Sequence, residues 1–251
     1  MTTPFTYDFG YSWWIGWGHL VPIALFGGLA AIGVWLGWRR WLTIAPGLLA
    51  VWGIAGLLIT HLLIRINLPV GLPTERFLPS GAARVVDVGA GSGRAAVGLL
   101  LARPRITVTA VDIYKGYYGI DDNTPARMMA NARIAGVSER AEAKVGDARE
   151  LPLDSGAYDG AISVAAIDHL PRAGIPKALA EVARVLKPGG EFLLTIVKVD
   201  AWVLFASPHL AHHPSADSNR WRTLLESSGF EIVEQGTQPG GLYFLSRKAR
   251  S

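Results

Sequence analysis

Two hydrophobic patterns divide this chain. Residues 19–38 and 42–64 are apolar on every face, carry no formal charge and are separated only by Arg39-Arg40-Trp41. A helix without a polar stripe is either a membrane span or a fully buried core helix. Roughly twenty helical residues cover the ~30 Å of hydrocarbon in a bilayer. Beyond residue 80 the pattern changes to short β-branched runs separated by glycine turns and helical stretches. That alternation predicts strands at 85–88, 106–111, 141–145, 160–164 and 191–197, a helix at 94–101 and another ending at 182–186. Strands alternating with helices build a doubly wound, mostly parallel α/β sheet. The runs 229–233 and 241–245 close the chain as two more short apolar stretches.

The apolar half is expected to be a membrane anchor, residues 1–64, with two transmembrane helices at 19–38 and 42–64. Trp13, Trp14, Trp17, Trp35, Trp38 and Trp41 cluster near the ends of these runs, where an indole keeps its ring apolar and its N–H wet. Gly33 and Gly37 form a small-xxx-small pair suited to close helix contact, within the hairpin or with a second copy as a homo-oligomer. A secretory signal is not expected, because residues 1–18 hold Asp8 and no Lys or Arg. His19 and His61 read as neutral imidazoles at the membrane interface. Residues 65–80 carry Pro69, Pro73 and Pro79 and are expected to be a linker or amphipathic joint. At ~3.3–3.6 Å per residue it would keep residues 81–251 close to the bilayer.

The most informative stretch is Val85-Val86-Asp87-Val88-Gly89-Ala90-Gly91-Ser92-Gly93. A buried strand runs into a turn where glycine lets the backbone approach a ligand that a Cβ would obstruct. In open α/β sheets ligands lie beyond the carboxyl ends of the strands. Asp112 ends the second strand, where a carboxylate can accept from a ribose diol. Gly146-Asp147-Ala148 follows the third strand, Tyr158-Asp159-Gly160 opens the fourth, and Leu186-Lys187-Pro188-Gly189-Gly190 precedes the fifth. Asp147 also suits a turn or helix cap.

This ordered set resembles the class I, Rossmann-like methyltransferases that use S-adenosyl-L-methionine, over about residues 80–250. The resemblance implies a seven-strand methyltransferase sheet preceded here by the two transmembrane α-helices. It also implies that Asp87, Gly89, Gly91 and Gly93 form or organise the loop around the methionine part of the cofactor. Asp112 would bind its ribose hydroxyls and Asp147 its adenine amino group, with Ile113, Ala148 and Val164 as further cofactor contacts.

Methyl transfer is largely a matter of alignment, with a base required only when the acceptor begins protonated. Asp168 and His169, after the fourth strand, are the candidate catalytic pair; His169 equally suits a cap. In the loop after Asp112, Tyr117, Tyr118, Asp122 and Asn123 are candidates to wall the cofactor or substrate, with Asn123 or Thr124 suited to cap the helix from Pro125. Trp202 and His209 are further candidate substrate contacts. The Trp202–Phe205 patch reads either as a lid over the pocket or as a loop dipping into the membrane interface. His209, His212 and His213 have no acid beside them until Asp217 and match no standard metal spacing, so no metal is expected.

The chain has no cysteine, which excludes disulfides, thiolate metal sites and a cysteine nucleophile. Its net charge of +4 is dispersed and does not point to nucleic acid. Only Asp8, Arg39 and Arg40 are charged within residues 1–64, so the remainder has an ordinary soluble surface. Because the cofactor is made in the cytosol, the catalytic domain is expected there. These readings converge on an integral-membrane methyltransferase acting on a small lipophilic or membrane-partitioning acceptor, either a lipid or quinone-like phenol or a small thiol or chalcogenide. The alternative is a non-catalytic cofactor-binding scaffold for a membrane partner.

Overall fold

The computed structural model describes residues 6–116, 119–208 and 217–250. Along the chain these form α1 (Trp13–Trp17), α2 (Leu20–Trp35), α3 (Arg40–Leu58), β1 (Ala83–Val88), α4 (Arg94–Ala102), β2 (Ile106–Asp112), α5 (Pro125–Ile134), β3 (Ala141–Val145), β4 (Tyr158–Val164), α6 (Ile175–Val185), β5 (Leu186–Val197), α7 (Ala201–Ala206), α8 (Ser218–Ser227), β6 (Phe230–Gln238) and β7 (Gly241–Lys248). They separate into two compact units. One holds residues 6–10, 67–198 and 217–250, and the other 11–66 and 199–208.

The first unit is a seven-stranded sheet in the order β3-β2-β1-β4-β5-β7-β6. β1 to β5 run parallel, and β7 lies antiparallel between β5 and β6. The expected α/β architecture is therefore present, though β4 and β5 begin earlier than the turn residues suggested. Tyr158 pairs with Leu186 and Gly160 with Glu191, so Lys187–Gly190 lies in a bulged start of β5 rather than ahead of it. On one face Val86, Val88, Ala161, Phe192 and Leu194 pack with Ala178, Leu179, Val182 and Val185 of α6, the stripe expected of an amphipathic helix.

The limits of this unit differ from those expected. Residues 67–80 pack on this unit and anchor one side chain in its core: Phe77 is fully buried, and its ring lies across Gly160, where a Cβ would come within 3.2 Å of it. The Gly in Tyr158-Asp159-Gly160 thus makes room for the Pro-rich segment. Asp159 ties the same edge together by accepting from Arg84 N at 2.8 Å and Lys187 Nζ at 2.6 Å. Residues 6–10 also belong here, not to the anchor. Tyr7 and Phe9 are buried and stacked, and Asp8 exchanges two backbone hydrogen bonds with the Asn131 amide of α5.

The second unit contains the helical hairpin of α2 and α3. The first predicted span shortens from 19–38 to the 16 residues of α2, because Gly37 takes a left-handed φ of 68° and turns the chain before Arg39. α3 continues through a π-helical turn, Ile59–Leu63, giving 24 residues that include an 18-residue stretch of mean hydropathy 2.1. That helix alone is long and apolar enough to cross a membrane among the described residues. Gly33 is used inside the hairpin, where a Cβ would sit 2.7 Å from Thr43 Cγ2 and 2.8 Å from the Trp38 ring.

Candidate active site

The carboxyl ends of β1, β2, β3 and β4 converge on a cleft of 160 Å³. β1 contributes Gly89 and Gly91, both left-handed, with φ of 77° and 53°. A Cβ on Gly89 would lie 2.3 Å from Ala166 Cβ, and one on Gly91 3.3 Å from Ile120 Cδ1. The glycines therefore let the tips of β1 and β4 and the loop after β2 close around one space.

Asp112 is the organising residue of the cleft. Its Oδ2 accepts from Gly91 N at 2.9 Å, and its Oδ1 accepts from Tyr114 N at 2.7 Å and Asn123 Nδ2 at 3.1 Å. A carboxylate offers about four acceptor positions, so this one holds the glycine loop and still has capacity for a ligand hydroxyl. Asn123 is buried, lines the cleft, and leaves its Oδ1 without a partner. A buried orphan acceptor facing a cavity fits a ligand donor. Thr124, not Asn123, caps α5 by accepting from Arg127 N.

Asp147 also lines the cleft, but its oxygens are already engaged. Oδ1 closes a turn onto Arg149 N at 2.8 Å, and Arg149 Nη2 reaches Oδ2 at 2.5 Å. This hydrogen-bonded guanidinium holds the Asp147 carboxyl below its ordinary range. A donor from an adenine ring would have to share those oxygens with Arg149 or displace it.

The expected catalytic pair divides. His169 lines the cleft, whereas Asp168 does not: its Oδ2 accepts from Val197 N at 2.8 Å and fastens the turn Ile167–His169 to the end of β5. Ile113 and Ala148 line the cleft as expected. Val164, Asp87 and Gly93 do not. The two residues after Val164, Ala165 and Ala166, take its place, and Ala165 does so with a strained φ of 50°. Asp87 is fully buried behind the loop with neither carboxyl oxygen hydrogen-bonded. Burial, reinforced by the nearby Asp112 charge, raises its pKa from 3.8 to about 8. Gly93 is left-handed at the start of α4, where a Cβ would press on Met128 Cγ at 2.9 Å. Asp122 is exposed and lies 4.0 Å from Arg127 Nη2. Trp202 belongs to the other unit, and Tyr117, Tyr118 and His209 lie outside the described residues.

Reading the sequence also missed several cleft residues. Lys115, Ile120, Arg149 and Leu170 all line it. Arg149 had a visible signal, since an Arg two residues after a turn Asp is placed to pair with it. Ile120 and Leu170 had none, because one apolar residue in a loop looks like any other.

Residues 85–190 match the family model described as a methyltransferase domain. This stretch is thus similar to methyltransferase domains, whose cofactor is S-adenosyl-L-methionine, and the cleft with its glycine cradle and spare acceptors fits such a ligand. A ubiquinone/menaquinone biosynthesis C-methyltransferase, UbiE, of Methylobacterium nodulans is 35% identical over 155 residues, which cover 57% of this chain and 58% of that protein. The chain spans 56–64% of the length of this and three other curated relatives. Among solved structures, the O-methyltransferase family 2 protein of Planctomyces limnophilus in complex with apigenin has a TM-score of 0.55 at 18% identity, covering 81% of this chain and 70% of that one. The [4+2]-cyclase SpnF has a TM-score of 0.54 at 20% identity, covering 70% and 79%. At these identities the structures share the fold alone.

Proposed function

We propose that this protein is a membrane-anchored methyltransferase that transfers a methyl group from S-adenosyl-L-methionine to a small lipophilic acceptor, with a quinone-like phenol or its ring carbon as the leading substrate class. The observation that carries the reading is the Asp112 junction, which joins the glycine loop, Tyr114 and Asn123 in a cleft at the carboxyl edge of a methyltransferase sheet. The bound cofactor supplies an electrophilic methyl on a sulfonium. Gly89 and Gly91 would admit its methionine part, Asp112 and Asn123 would accept from its ribose, and Ile113, Ala148 and Ala166 would flank its base. An acceptor that takes up this methyl would release a proton. His169 is placed to receive that proton. Asp168 would act through it, by holding the turn that carries the imidazole.

Two features support the lipophilic acceptor. The UbiE relatives are named for quinone biosynthesis, and the second unit exposes many large apolar side chains, with its exposed charges at Arg39, Arg40 and Arg65. Facing the cytosol, where the cofactor is made, would give the catalytic unit its supply; protection of that unit from protease added to inverted vesicles would refute this orientation. The activity itself is tested by incubating purified protein and membrane extract with methyl-labelled cofactor. Label in an organic-soluble quinone-like product supports the reading. Tight binding of S-adenosylhomocysteine without turnover on any lipid extract would instead favour a cofactor-binding scaffold.

A further inference from the structure

We infer that α7 is a third membrane-embedded element, a short helix seated in lipid hydrocarbon beside the hairpin. This inference rests on the proposed membrane anchoring. The hairpin alone is unevenly matched to a bilayer. α2, at 16 residues, is ~24 Å long, about 6 Å less than the hydrocarbon thickness, whereas the 24 residues of Arg40–Leu63 reach ~36 Å.

The packing locates the shortfall. A Cβ on Gly53 would lie 3.2 Å from His19 O, and Gly56 leaves the space in which the His19 ring sits. α2 therefore begins level with residues 53–56, and the last turns of the longer helix extend past it. Two short helices occupy that level. α1 is joined to it by His61 Nε2 donating to Gly16 O at 2.8 Å, and α7 packs along α3 and the π-helical turn.

The end of α7 is finished in the way hydrocarbon requires. The last carbonyls of a helix lack partners within it, and in water they need none from the protein. In lipid each unsatisfied carbonyl is costly. Here Trp52 Nε1 donates to Phe205 O at 2.9 Å and His19 Nε2 donates to Ala206 O at 2.6 Å. Both donors come from the apolar hairpin. At the other end Asp200 caps Trp202 N and Val203 N and supplies the charge expected at headgroup depth. Between the two ends, Trp202, Leu204 and Phe205 are exposed, at 62%, 42% and 44%. In the same unit Leu48, Val51 and Leu62 of the hairpin are each at least 60% exposed. Hydrocarbon is the occupant that suits this whole surface at once.

The absence of natural cysteine makes the test direct. Trp202→Cys, Leu48→Cys and Glu226→Cys are each spin-labelled in the full chain in lipid nanodiscs, and their collisions with oxygen and with a water-soluble nickel chelate are compared. The expected result is oxygen-dominated relaxation at 202 and 48, with nickel-dominated relaxation at 226. His19→Ala combined with Trp52→Phe should then raise nickel access at 202 several-fold and leave 48 unchanged. An oxygen-dominated label at 48 with a nickel-dominated label at 202 overturns the inference and leaves the anchor standing. A label at 202 shielded from both reagents also overturns it, placing α7 under a lid or against a second copy. Nickel-dominated relaxation at both 48 and 202 removes the anchor itself.

Discussion

The two units treat their polar groups in opposite ways. In the catalytic unit, buried oxygens without partners gather toward the strand ends and the loops after them, at Asp87, Ser92, Asn123, Ser163, Asp168 and Thr195. In the apolar unit, His19, His61 and Trp52 direct ring N–H groups to backbone carbonyls. Of the large hydrophobic side chains exposed among the described residues, only Leu101, Ile113, Ile134 and Val145 lie in the catalytic unit. Of the residues with buried oxygens lacking partners, only Asn123 lines the cleft, where it keeps an acceptor in reserve for a ligand. The apolar unit directs its ring donors inward, leaves His19 Nδ1 as a buried atom without a partner, and turns apolar side chains outward.

The strongest test of this division is Phe77→Ala. Deleting a fully buried ring should cost about 3–5 kcal/mol, and the loss should fall on the catalytic unit alone. In detergent, denaturant unfolding of the sheet should shift while the helical signal of the apolar unit persists. Simultaneous loss of both would show a single cooperative structure. Next in size, Asp112→Ala removes an ionised acceptor of three hydrogen bonds and should weaken S-adenosylhomocysteine binding about 100-fold, since charged hydrogen bonds contribute about 1.5–3 kcal/mol each. Calorimetric titration checks this, and vesicle association should be unchanged.

Asp87 yields a pH dependence. The folded carboxyl keeps its proton up to about pH 8, whereas in the unfolded chain it ionises near 3.8. The native state therefore binds the extra proton between these values, and stability should fall as pH rises through that window. Asp87→Asn should flatten the slope of melting temperature against pH; an unaltered slope would assign it to other groups. The smallest expected effect is at Ala165, whose left-handed backbone costs about 1 kcal/mol in a residue with a Cβ. Ala165→Gly should raise the melting temperature of the catalytic unit slightly, and a fall would show that the alanine methyl packs usefully in the cleft.

The sheet was legible in the sequence because β-branched runs and glycine turns recur in register, and Asp112 was legible because it stands at a strand tip. Asp168 and His169 were not separable there. A short 3₁₀ turn sends one side chain to the cleft and its neighbour to the backbone of β5, and sequence adjacency carries no such direction. Phe77 was obscured by the prolines around it, which suggest a linker although their neighbour fills the core. The contribution of α7 to the apolar unit was equally hidden, since its partners His19 and Trp52 stand over 150 residues away in the chain.

The strap formed by residues 6–10 has a consequence for biogenesis. Its partner Asn131 lies 123 residues later in the chain, so at ~5–20 residues per second a ribosome needs roughly 6–25 seconds to supply it. The hydrophobic helices between them emerge during that interval, while the strap has no seat. Residues made early are thus placed late, and the apolar helices are complete before the sheet can close over the strap.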